Sequence, residues 1–147
     1  MPVLATNRRA RFDYEIKETY EAGIKLNGNE VKSLKTGRAG LKGAFIVPSS
    51  EELYLINAFI PHYQRHANIT YNETRSRKLL MSRKQIDRLI GKKTHSGLTI
   101  VPLSIYTRRG KIKLEAALAK GKKKRDKRRD IAERESKRRM ERALKND

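Results

Sequence analysis

The sequence contains no cysteine, which excludes disulfides and thiolate metal sites and permits a reducing compartment. It has no apolar run approaching the ~18 residues that a helix needs to cross a bilayer. The first residues, Met1-Pro2-Val3-Leu4-Ala5-Thr6-Asn7, lack a basic stretch followed by an apolar one. No secretory signal is therefore expected there, and the expected location is the cytoplasm. No Gly-rich loop runs into Lys-Ser/Thr, so nucleotide hydrolysis has no phosphate cradle. No acidic cluster could hold the paired magnesium ions that many nucleases use. Of the three histidines, His62 and His66 would share one face of a helix, but Pro61 precedes them and no carboxylate completes a ligand set. The expectation is no catalytic residue, no metal and no cofactor.

Positive charge is what the chain has in abundance. Lys and Arg number 36 against 16 Asp and Glu in 147 residues, a formal net charge of +20. Such an excess opposes compaction by self-repulsion, and a polyanionic partner is the natural reason to keep it. Composition changes near Lys120. Residues 120–147 hold 14 basic and 6 acidic residues and almost no large apolar ones beyond Ile131, Met140 and Leu144. The expected organisation is a folded body over residues 1–119 and a basic tail over 120–147.

Strand-like pieces dominate the body. Tyr14 to Leu26 alternates polar and apolar positions and slips near Ala22-Gly23, where a bulge is expected. Asn27-Gly28-Asn29 is a turn signal, and Val31 and Leu34 are spaced for a short helix stopped by Gly37. Ala44–Val47 and Leu53–Ile56 form one hairpin, and Leu98–Tyr106 and Lys111–Ala119 a second around Arg109-Gly110, with Pro102 at an edge or bulge. Ser82-Arg83-Lys84-Gln85 has the pattern of a capping box, opening a helix through Ile86, Leu89 and Ile90 that Gly91 would cap. This pattern predicts a mainly β protein: a small antiparallel barrel of OB-fold type with two or three short flanking helices.

The tail lacks an apolar stripe to dock on the body. Opposite charges recur at helical spacing in Asp130/Arg134, Glu133/Lys137, Glu135/Arg139 and Glu141/Lys145, each pair adding only ~0.2–0.5 kcal/mol. The tail is therefore expected to be disordered when free and helical against a polyanion.

Four segments carry organised chemistry. Asn7-Arg8-Arg9-Ala10-Arg11-Phe12-Asp13-Tyr14 places arginines beside two aromatic rings, suited to phosphate and to stacking on unpaired bases. Tyr20-Glu21-Ala22-Gly23-Ile24 leads into Gly28-Asn29-Glu30-Val31-Lys32-Ser33-Leu34. Arg75-Ser76-Arg77-Lys78-Leu79-Leu80 sets basic residues against an apolar pair. Gly121-Lys122-Lys123 precedes Asp126-Lys127-Arg128 at the exit from the body. Together with Gly97-Leu98-Thr99-Ile100-Val101-Pro102-Leu103, this ordered set resembles the small protein B (SmpB) family, the SsrA-binding partners of transfer-messenger RNA (tmRNA) in bacteria.

The resemblance implies an oligonucleotide-binding barrel that takes the tRNA-like domain of transfer-messenger RNA and joins it on stalled ribosomes for trans-translation. It implies a tail that enters the decoding centre and the empty message channel of the small subunit. Tyr14, Glu21 and Leu80 match positions tied in the family to RNA binding. Asn7, Arg8, Arg9, Arg11, Lys32, Ser33, Arg75, Arg77 and Lys78 lie in matching motifs suited to phosphate or 2′-hydroxyl contact. Gly121, Lys122, Lys123, Asp126, Lys127 and Arg128 match the ribosome-binding tail motif. Three departures stand out: Phe12 where His is common, Arg125 where an aromatic or His is usual, and Asn72-Glu73 in place of Asp-Pro. The chain is expected to be a monomer without membrane contact. The main rival is a structural ribosomal protein of small basic barrel type, and a basic ribonuclease is the enzymatic one.

Overall fold

Hydrophobic alternation lays down seven strands in the computed structural model, which describes residues 2–64 and 70–145. The strands are β1 (Val3–Thr6), β2 (Tyr14–Ile24), β3 (Phe45–Ser49), β4 (Glu52–Ile56), β5 (Arg77–Leu80), β6 (Thr99–Arg108) and β7 (Lys111–Gly121). The helices are α1 (Ala10–Asp13), α2 (Gly28–Lys35), α3 (Arg83–Ser96) and α4 (Lys124–Lys145). Every strand pairing is antiparallel, in the order β1-β6-β3-β4-β5-β2-β7, and a further β6–β7 pairing closes the ring. This is the small barrel that the sequence pattern predicts. β1 and β3 share one edge of β6 at opposite ends, while β7 runs along the other.

The ring is uneven. β2 and β7 pair along almost their whole lengths, whereas β5 joins β2 only at Gly23↔Leu80 and Ile24↔Leu79. The interior is filled by aliphatic side chains including Ile46, Leu53, Leu55, Leu79, Ile100, Ile105 and Leu114, all essentially removed from water. Each such burial stabilises the fold by roughly 1.5–3 kcal/mol before ordering costs. A second, smaller cluster lies outside the ring, where Ala10 of α1 packs on Val101, Leu103, Ala117 and Ala119.

Both hairpins form as the sequence predicts. Ser50 and Glu51 turn β3 into β4 with positive φ, and Arg109-Gly110 turns β6 into β7 in the same way. The β6–β7 register shifts between Pro102 and Ser104, so the proline sits at a bulge.

Several local expectations are corrected. Gly23 is not bulged; the register shift in β2 lies between Ile16 and Glu18. Gly23 instead permits close approach, because a Cβ there would lie 3.2 Å from Leu80 Cβ. Asn27-Gly28-Asn29 is not a free turn but the start of α2. The Asn27 side chain accepts from Glu30 N, and Glu30 Oε1 accepts from Asn27 N, a full capping box. For α3, Ser82 Oγ accepts from Gln85 N at 3.2 Å, the serine half of that arrangement. Gly91 does not end α3. The helix runs on to Ser96 and stops at Gly97, whose φ of +64° is the left-handed conformation that glycine adopts without a Cβ clash.

β7 extends to Gly121 and α4 follows at Lys124. Of the expected tail pairs, Glu135 and Arg139 lie 3.9 Å apart, but Asp130 pairs with Lys122 instead of Arg134. Lys145 of the Glu141 pair has its side chain outside the described ones.

Candidate nucleic-acid interface

β2 carries sequence-predicted residues at both of its ends. Tyr14 opens the strand and Glu21 lies seven residues on, a separation of about 23 Å at ~3.3 Å per residue. The candidate residues therefore divide between two ends of the barrel, with a third group on α2.

The Glu21 end holds an open groove of about 540 Å³ between β2, β5, β7 and the start of α3. Glu21, Gly23, Lys78, Leu80, Met81 and Lys113 line it. Leu80 points outward from β5 and is 52% exposed, an unusual position for a leucine flanked by further apolar side chains. On its other side a second groove is lined by Leu26, Val31 and Ile112. Lys113 is brought in by register, since it pairs with Gly23 on one side and Tyr106 on the other. Lys113 and Met81 were not legible as site residues, because nothing local in the sequence distinguishes them.

Glu21 is an organised carboxylate. Tyr106 Oη donates to its Oε2 at 2.5 Å, and Arg108 Nη1 donates to the same oxygen at 3.1 Å. The Tyr106 bond first, and the Arg108 bond next, hold Glu21 below the usual carboxylate range. Burial and the bond to Glu21 push the Tyr106 phenol up to about 12. At neutral pH the pair is thus a phenol donor on a charged acceptor.

The Tyr14 end is basic. Arg8 and Arg11 are exposed, whereas Arg9 is drawn to Asp13 at 3.3 Å and lies 4.8 Å from the Phe12 ring centre. Asn7 serves the fold: its N–H donates to Leu103 O at 2.8 Å and its Nδ2 to Pro102 O at 2.9 Å. Tyr14 is half-buried against the outer apolar cluster.

The tail leaves from this same end, as Tyr14 pairs with Gly121. Lys122 Nζ donates to Arg11 O at 3.0 Å and to Asp130, and Lys127 reaches Asp13 at 3.2 Å. Phe12 collects cations: Lys127 Nζ lies at 5.9 Å and Arg134 Cζ at 5.8 Å. Gly121, Lys123 and Arg128 are exposed. Asp126 and Arg125 lie in α4 with side chains outside the described ones.

On α2, Lys32 is exposed and 5.9 Å from the Tyr63 ring. Two expected contacts are corrected here. Ser33 and Arg77 are fully buried, so neither presents a group to a phosphate. Arg77 donates to Glu30, Ala58 O, Arg75 O, Tyr71 Oη and Glu73 O, all inside the protein. The strand's period explains this: Arg77 and Leu79 face inward, Lys78 and Leu80 outward. Arg75 is half-buried and pairs with Glu30 as well. His66 lies outside the described residues, and no group of three metal-ligating side chains occurs among the described residues. No helix among them is long and apolar enough to cross a membrane.

A family described as SmpB protein matches residues 4–146. An SsrA-binding protein of Anaeromyxobacter sp. (strain K) is 51% identical over 142 residues, covering 97% of this chain and 87% of the relative. One of Mycolicibacterium paratuberculosis (strain ATCC BAA-968 / K-10) is 49% identical, covering 97% of this chain and 84% of the relative. A solved structure described as "tmRNA-SmpB: a journey to the center of the bacterial ribosome" contains a similar chain. That chain is 49% identical, with a TM-score of 0.68 over 84% of this chain and 87% of its own length. With the match spanning almost every residue and both ends of the barrel, the chain belongs to the SmpB protein family.

Proposed function

We propose that this protein is a non-catalytic adaptor of trans-translation in the bacterial cytoplasm. It binds the tRNA-like domain of transfer-messenger RNA and brings it to stalled ribosomes, so that the RNA's own reading frame tags the incomplete product. The observation that carries the reading is the groove at Glu21. It sets an exposed apolar side chain, Leu80, between two cations, Lys78 and Lys113, and one oriented acceptor, Glu21. This is a composition for nucleotides. The lysines meet phosphate, Leu80 packs on a base or sugar face, and the carboxylate takes a hydrogen bond from a base N–H or a 2′-hydroxyl. Because a carboxylate repels phosphate, it admits the backbone only in a pose that brings a donor to it, which gives selectivity over charge alone.

The other end faces the second partner. Arg8, Arg11, Lys123 and Arg128 are exposed there, beyond the Tyr14 end of β2, which lies about 23 Å from Glu21 by strand rise. One RNA can occupy the groove while the tail engages the ribosome. In this reading residues 1–119 are the RNA-binding barrel. The tail of residues 120–147 is disordered when free and folds as a helix in the message channel, where its cations find phosphate and counterion release favours binding.

Binding of the tRNA-like domain to the Glu21→Gln, Leu80→Ala and Lys113→Ala variants tests the groove. Weaker binding with an unchanged melting temperature supports it. Unchanged affinity in all three would remove the groove from RNA binding.

A further inference from the structure

Glu21 stands on the outer face of the barrel, opposite Glu115 of β7 in register. Like charges directly opposed across a strand pair repel. An unsupported carboxylate there, in a chain of formal charge +20, would turn toward whichever cation came nearest. The structure instead holds it from one strand further away. Tyr106 and Arg108 lie two apart on β6, on one face, and reach across β7 to it. Both donate to the same atom, Oε2, at 2.5 and 3.1 Å. Oε1 takes no bond from any described residue. It is the oxygen left available for a ligand, on a side chain that lines the groove.

We propose that Tyr106 and Arg108 are positioning residues that fix the Glu21 carboxylate, so that Oε1 accepts one hydrogen bond from a base N–H or ribose 2′-hydroxyl of the bound RNA. The inference rests on the groove being the RNA-binding face and names what gives that face its directionality. The phenol contributes a rigid ring and a short bond, and the guanidinium contributes charge that keeps the acceptor ionised. Lys113, which also faces the groove, adds a weaker attraction of the same sign, while Glu115 opposes it. Neither positioning residue need touch RNA. Arg108 Nη1 is already paired with Glu21 Oε2 at 3.1 Å.

The test is a double-mutant cycle on the full-length chain, with a transcript of the tRNA-like domain as probe, well below the melting temperature. Tyr106→Phe keeps the ring and removes the donor. It should weaken binding roughly three- to tenfold, the worth of one hydrogen bond, and have less than about a twofold effect once Glu21→Gln is present. Arg108→Lys should retain most of what Arg108→Ala loses. The pH profile adds a readout that loss of packing would not move. Without the phenol donor the Glu21 pKa rises, so affinity should start to fall at higher pH on acidification in Tyr106→Phe than in the parent. If Tyr106→Phe binds like the parent, or weakens binding equally in the Glu21→Gln background, the positioning role is overturned and the groove survives. If Glu21→Gln itself binds like the parent, the positioning role fails, and the groove reading fails with it only if Leu80→Ala and Lys113→Ala also bind like the parent.

Discussion

Arg77 and Glu30 are both fully buried, and Arg77 Nε donates to Glu30 Oε2 at 2.5 Å. The same carboxylate caps α2 through Asn27, pairs with Arg75, and accepts from Tyr71 Oη at 3.1 Å. One side chain thus ties α2 to β5 and to the segment leading into it. Removing one partner of a buried pair leaves the other charged and unsolvated. Arg77→Ala should therefore lose about 3–5 kcal/mol in urea unfolding, whereas the outward-facing Lys78→Ala should change stability by under ~0.5 kcal/mol. Equal stability of Arg77→Ala and the parent would contradict the buried role.

The same carboxylate shapes the response to acid. Burial pushes Glu30 up, but the bonds from Arg75, Arg77 and the Asn27 backbone outweigh it, so the group stays below its ordinary value of 4.5. A depressed pKa means stability that is fully present above the unfolded-state value and lost as pH falls through the folded one. The melting temperature should decline below about pH 4.5, with part of that decline missing in Glu30→Gln. A parallel decline in parent and variant would assign acid lability elsewhere.

Gly23 couples the fold to the groove. A side chain at this position meets Leu80 Cβ at 3.2 Å and Cδ1 at 3.6 Å, so it would displace the leucine that lines the groove. Gly23→Val should cost roughly 1–3 kcal/mol of stability from overpacking. Gly23→Ala, with a smaller intrusion, should weaken RNA binding more than it lowers the melting temperature. Intact affinity in Gly23→Ala would mean that the placement of Leu80 is unimportant.

Much of this was legible in the residues. Both hairpins, the helix around Val31 and Leu34 and the Ser82 cap follow from turn residues and periodicity that tertiary contacts did not override. Arg77 and Ser33 were misread because charge and hydroxyl groups ordinarily face water. Only the buried Glu30, 47 residues away, explains an inward arginine. β1 and α1 carry little local signal because each is four residues long, β1 held by pairing with β6 and α1 by packing on β6 and β7. Gly91 looks like a helix end, yet a glycine inside a helix costs only ~1 kcal/mol, which the packing of Ile86 and Leu89 exceeds. Tyr106 and Arg108 gain meaning only once β6 and Glu21 lie on the same face.

The tail meets the body through few contacts. Among the described side chains these are Lys127 on Asp13, Lys122 on Arg11 O, and Lys127 and Arg134 over the Phe12 ring, while its apolar Ile131, Met140 and Leu144 are 45%, 66% and 76% exposed. A peptide spanning residues 122–147 should show little helix by circular dichroism in buffer, and should gain helix on adding a short RNA duplex. Stable helix in buffer alone would contradict folding on binding.

A basic barrel that recognises one RNA differs measurably from one that attracts every polyanion. The direct measurement is affinity for transfer-messenger RNA across a range of salt concentrations, with bulk transfer RNA as competitor. Binding should survive the competitor, weaken in Glu21→Gln, and retain part of its strength at salt concentrations that abolish purely ionic contacts. Equal binding to every RNA, with a steep salt dependence and no effect of Glu21→Gln, would contradict it and favour a general polycation such as a structural ribosomal protein.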